Sequence, residues 1–118
     1  MGLPRIILAM SLYASSLVVS PFALAQQTGE ELLRSKACLG CHQVDAKRLG
    51  PSFTLVAQRY GAVDGGQDYL ALVIRQGSRG RWGAVPMPAQ PQVSEQDANA
   101  IAQWILTLVE PEGKQERQ

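Results

Sequence analysis

Apolar residues recur at helical spacing in four stretches of this chain, and nowhere do they alternate as in a half-buried strand. The first stretch opens at Thr28, whose hydroxyl suits an N-cap, with Glu31 three residues on to complete a capping box. Leu32, Leu33 and Ala37 give it an apolar side that runs into Cys38. Gly50-Pro51-Ser52 reads as a turn before a shorter helix over Phe53–Tyr60, which Gly61 can end. Gly65-Gly66 marks a loop. Leu70, Val73 and Ile74 then show one face of a third helix, with Gly77 as its stop.

From 77 to 93 the periodicity vanishes, and this stretch holds three glycines and the prolines Pro86, Pro88 and Pro91. Long irregular segments inside small domains are usually functional or disordered. The apolar Trp82, Val85 and Met87 point to a packed, functional loop. Ser94 then caps the clearest helix, with Glu95 and Asp97 in its first turn, where acids favour the dipole. Its stripe is Ala98, Ile101, Ala102, Ile105 and Leu108, widened by Trp104 and ended by Pro111. There are no internal repeats, and the fold class is all-α.

The first 25 residues follow a different grammar. Arg5 and the amino terminus give a positive start, an apolar run extends from Ile6 to Val19, and Ala23-Leu24-Ala25 offers a small-x-small cleavage site. These are the parts of a secretory signal peptide. An uncleaved anchor is the alternative, but it needs about 20 apolar residues. The run is broken by Ser15, Ser16, Ser20 and Pro21, so no stable membrane anchor is expected. The expected division is a signal peptide at 1–25, a domain at 26–111 and a charged, frayed tail at 112–118. The periplasm is the expected location.

Removing the leader changes the inventory. Ten Lys and Arg then balance ten Asp and Glu, which excludes a nucleic-acid partner that would need a basic excess. One histidine, one methionine and two cysteines remain. The two cysteines are only three apart, so a disulfide between them would close almost no chain. A domain this small needs another source of core.

Cys38-Leu39-Gly40-Cys41-His42 is the full attachment sequence for a c-type haem. Two cysteines at this spacing on a helix start can reach the two vinyl groups on one haem edge, and the next residue, His42, can then face the iron. A zinc site wants four ligands, and only three Cys and His are available. A thioredoxin-like pair would accompany a βαβ pattern, which is absent. A plain disulfide remains the alternative, though it leaves His42 unexplained.

With His42 used, Met87 is the remaining candidate for the second axial ligand, and His/Met pairs are known in cytochromes c. Pro86 and Pro88 fix their own φ and push Val85 and Met87 toward extended conformations, so the thioether sits on a stiff strap. The alternative is that Met87 only fills a gap in the core.

These residues together resemble the small bacterial class I cytochromes c of the c-551/c-552 type, over nearly all of the chain from Glu30 to Leu108. The resemblance rests on the attachment motif, Leu49-Gly50-Pro51-Ser52-Phe53, Gly77-Ser78-Arg79-Gly80-Arg81-Trp82-Gly83, Val85-Pro86-Met87-Pro88 and the last helix, in that order. It implies about four helices around one covalently attached haem c. It also implies that the Pro51 carbonyl accepts a hydrogen bond from the His42 ring, and that the Trp82 indole meets a haem propionate; an ordinary core aromatic is the other reading of Trp82. Two positions depart from the family: Val73 stands where an arginine often lies near a propionate, leaving Arg75 or Arg79 to substitute, and Gln90 replaces an asparagine near the methionine.

The function read from these residues and this resemblance is that of a monomeric electron carrier, not an enzyme. Its donor would be a partner such as a membrane cytochrome complex, and its acceptor a nitrite reductase or an oxidase. The second reading is a haem c subunit bound permanently to a periplasmic dehydrogenase, with the tail after Pro111 as a docking segment. Arg75, Arg79 and Arg81 have no acid between Asp68 and Glu95. They read either as a partner-docking group or as a solvated face.

Overall fold

The computed structural model describes residues 26–109. The proposed leader, Pro111 and the tail at 112–118 lie outside the described residues. Four helices follow one another: α1 (Gly29–Ser35), α2 (Phe53–Tyr60), α3 (Gly66–Gln76) and α4 (Glu95–Leu106). Among the described residues there is no strand, as the lack of alternation predicts.

Helix α4 is the element on which the others rest. It buries Ala98, Ile101, Ala102 and Ile105, and α1, α2 and α3 each pack against it. Its start is fixed by Ser94, whose hydroxyl accepts from the Asp97 N–H at 3.0 Å. It ends at Leu106, ahead of the expected proline, and Leu108 lies in the turn beyond it. Helix α1 has the expected capping box, with the Thr28 N–H donating to Glu31 at 2.8 Å. Leu32 and Leu33 are at most 2% exposed. Burying each is worth roughly 1.5–3 kcal/mol, far more than the surface pairs Arg34–Glu30 and Lys36–Asp97.

The crossing of α1 and α4 needs Gly29. A Cβ there would stand 2.2 Å from the Trp104 Cβ and 2.6 Å from the Ala100 carbonyl oxygen. A side chain would therefore separate the two helices.

Besides the end of α4, two helix boundaries differ from those expected. Helix α1 does not continue to Cys38. It stops at Ser35, and Ala37 is exposed with φ 60°, ψ 20°, which turns the chain into a 3₁₀ turn over Cys38–Gly40. The cysteines thus follow a helix end instead of opening a helix. Helix α3 begins earlier than expected, because Gly65 sits in the left-handed region at φ 71° and serves as its N-cap. Gly66 is inside the helix, where a Cβ would come 2.4 Å from the Tyr60 carbonyl oxygen.

Candidate functional site

The residues between Cys41 and Thr54 form a loop closed by its own backbone. Gly50 N–H donates to the Cys41 carbonyl at 2.8 Å, Phe53 N–H to Gln43 at 2.9 Å and Thr54 N–H to Val44 at 3.0 Å. The Thr54 hydroxyl and the Arg48 guanidinium add bonds to Val44 and Leu39. This closure brings Pro51 back against His42. Nδ1 of the ring lies 2.8 Å from the Pro51 carbonyl oxygen. A carbonyl can only accept, so Nδ1 is the donor here, and in the neutral ring the lone pair is on Nε2.

Two further contacts fix that ring, one of them backed by Trp104. Phe53 stacks on it at 5.0 Å with an interplanar angle of 21°, and Trp104 meets Phe53 edge-on at 6.3 Å. Gly50 lies so close that a Cβ would stand 2.4 Å from Cε1 and 2.9 Å from Nε2. The roles of Gly50 and Phe53 depend on the loop's path. The motif around Pro51 was the only signal in the sequence that pointed to them.

The 77–93 segment supplies the other wall. Ser78 and Met87 exchange both backbone hydrogen bonds, at 3.0 and 2.9 Å, and the Gln90 N–H donates to the Ile74 carbonyl at 3.1 Å. Gly77, at φ 78°, lets this strap approach: a Cβ would come 2.5 Å from the Met87 carbonyl oxygen. The Gln90 side chain is engaged locally, donating to Pro88 O at 3.2 Å and accepting from Gln92 at 2.7 Å.

His42 and Met87 both line one crevice of about 250 Å³, open to solvent at its mouth. Cys41, Pro51 and Trp82 line it too, with apolar walls from Phe53, Val56, Leu70, Val73, Ile74 and Ile105. Cys38 packs against the core behind it. Burial pushes the Cys38 thiol up, its own backbone hydrogen bond pulls it down, and the Cys41 charge adds a smaller upward push. Five of the six residues singled out in the sequence therefore line one cleft, and the sixth, Cys38, packs against the core. An imidazole lone pair and a thioether inside apolar walls, with two thiols at hand, suit a flat apolar macrocycle bearing iron. Among the described residues, no group of three or more His, Cys, Asp and Glu is arranged to hold a bare metal ion.

Trp82 is half-buried and held by cations. The Arg59 guanidinium covers its ring at 4.5 Å and donates to the Arg81 carbonyl at 2.7 Å. Tyr60 meets Trp82 edge-on at 6.4 Å and Tyr69 at 5.1 Å. Burial pushes the Tyr60 phenol up; Tyr69 adds to this through a hydrogen bond and charge, while Arg59 and Arg81 draw it back. The three arginines do not act as one group. Arg75 reaches Glu95 at 3.9 Å across the α3–α4 face, a pairing hidden in the sequence. Only Arg81 of the three lines the crevice.

Comparison with known proteins agrees with this architecture. The sequence profile of the family Cytochrome c matches residues 26–109. Cytochrome c-551 of Stutzerimonas stutzeri is 44% identical over 104 residues, covering 88% of this chain and 97% of that protein. Cytochrome c-552 of Nitrosomonas europaea is 43% identical over 95 residues, covering 80% and 89%. The crystal structure of wild-type Nitrosomonas europaea cytochrome c552 superposes with a TM-score of 0.67 at 44% identity, covering 68% of this chain and 99% of that one.

Proposed function

The chain belongs to the cytochrome c family, and on that footing we propose that it is a periplasmic one-electron carrier with haem c bonded to Cys38 and Cys41. His42 and Met87 would hold its iron. Haem c would supply an iron able to exchange one electron between ferrous and ferric states. The rest is the work of the chain. Pro51 holds the His42 tautomer and ring orientation, as partners of ligating histidines generally do. Gly77 and Ser78 clamp the strap that carries the Met87 thioether. Apolar walls from α2, α3 and α4 exclude water and disfavour added charge.

The 2.8 Å contact between His42 Nδ1 and Pro51 carries this reading, because it engages Nδ1 as the donor and makes Nε2 the nitrogen of the neutral ring that can ligate. With both side chains on the iron, the site would suit electron transfer and would offer substrate no place on the metal. The donor is a membrane cytochrome complex or similar redox protein, and the acceptor a nitrite reductase or an oxidase.

Proton NMR of the ferrous protein tests the ligand set. A methyl group lying over the haem should be shifted far upfield by ring current. Met87→Ala should abolish that signal and lower the potential, since a thioether favours ferrous iron. Met87→His should keep six ligands and also lower it. A wild-type spectrum without the shifted methyl refutes the assignment. Native size at purification separates a free monomer from a subunit held on a dehydrogenase.

A further inference from the structure

Haem c is apolar across its ring but carries two propionate carboxylates, and a carboxylate placed at an apolar cleft without a partner is costly. The crevice offers few partners. Among the described residues that line it, Arg81 is the only one with a permanent charge. We infer that Arg81 binds a haem propionate in this chain, and that Arg59 is the positioning residue that holds Arg81 and Trp82 in place for it.

The other cations near the crevice are either paired elsewhere or do not line it. Arg75 faces Glu95. Arg48 donates to the Leu39 carbonyl at 3.0 Å. Lys47 borders a separate hollow, and Arg79 is not among the lining residues. Val73, on the crevice wall, brings no charge.

An exposed arginine normally gains little from one carboxylate, because ordering its long side chain offsets the attraction. Here much of that ordering is already done. The Arg81 guanidinium lies 5.4 Å from the centre of the Tyr69 ring, within range of a cation–π contact. Its backbone carbonyl is pinned by Arg59, whose own guanidinium lies over the Trp82 ring at 4.5 Å and 5.8 Å from the centre of the Tyr60 ring. Helix α2 is thereby stapled to the Arg81–Trp82 stretch. A planar fork beside an indole can meet a carboxylate with two parallel donors, which lysine cannot do.

The inference rests on the haem seat proposed above, and the test keeps the two apart. Purified holoprotein carrying Arg81→Gln, Arg81→Lys, Arg59→Gln or Arg79→Gln is compared with wild type. The readouts are reduction potential at low salt, redox-difference infrared bands of the propionates, and the upfield methyl. Loss of a cation beside the haem favours ferric iron, so Arg81→Gln should lower the potential and shift a carboxylate band. Arg59→Gln should do the same to a smaller extent. Arg81→Lys should keep most of the potential yet alter the band, and Arg79→Gln should change neither. If Arg81→Gln yields no holoprotein, the lysine and Arg79 variants decide. An intact upfield methyl with potential and band unmoved in Arg81→Gln, or a lysine variant whose band matches wild type, overturns the role of Arg81 alone. Absence of the methyl from wild type overturns the seat itself.

Discussion

Replacing Gly50 with alanine adds one methyl group where the His42 ring already stands. The new Cβ would lie 2.4 Å from Cε1 and 2.7 Å from Nδ1, whereas ordinary contact begins near 3.4 Å. The ring or the loop must therefore give by about 1 Å. Neither moves freely. The ring is tied to Pro51 and stacked on Phe53, and the Gly50 N–H is bonded to Cys41. Overpacking of this kind costs about 1–3 kcal/mol. Losing the bond to Pro51 adds roughly 0.5–1.5 kcal/mol. We expect a loss of about 2–4 kcal/mol, a large part of the 5–15 kcal/mol typical of a domain. Gly40 is the control, since a Cβ there meets nothing within 4 Å and its φ is not positive. Gly40→Ala should be neutral or stabilising by up to about 1 kcal/mol, through a less flexible unfolded chain. Guanidinium chloride unfolding of both variants in ferric and ferrous states measures the difference. Similar midpoints for Gly50→Ala and wild type would show that His42 is not confined as described.

Ala37 offers the opposite case. It holds a left-handed conformation at φ 60°, which costs a non-glycine residue roughly 1–2 kcal/mol. Ala37→Gly should raise stability by up to about 1 kcal/mol in the same assay, and a loss would contradict the strain. Intact mass of protein purified from its source should equal residues 26–118 plus one haem, and a mass retaining residues 1–25 would speak for an anchored carrier. Acid–acetone treatment should leave the colour with wild-type protein, whereas double replacement of Cys38 and Cys41 by serine should give little holoprotein.

Local chemistry made much of this legible from sequence. Thr28 and Ser94 announce α1 and α4 because a hydroxyl at a helix start accepts from the backbone three residues on, and Ser52, which read only as part of a turn, caps α2 in the same way. The attachment motif and Met87 stood out because no other cysteine, histidine or methionine competes with them once the expected leader is removed. What escaped depended on distant residues. Gly66 looked like loop, yet it is a helical residue made necessary by the Tyr60 carbonyl. Alanine gives no sign of a left-handed turn, so the end of α1 was placed too late. Arg59 carried no signal at all, because its partners come from a loop far along the chain.

The position of α4 has a consequence for how the protein is made. Leu32 and Leu33 belong to the helix that packs against α4, the last of the described helices. A nascent chain lacking α4 offers α1, α2 and α3 little surface on which to bury their apolar faces, and short isolated helices are marginal in water. Packing of the described helices therefore waits for α4, and pairing α1 with it is a slow, long-range closure. Until then the chain stays largely unpacked. Its cysteines, near the front, remain open to whatever enzyme joins haem to them.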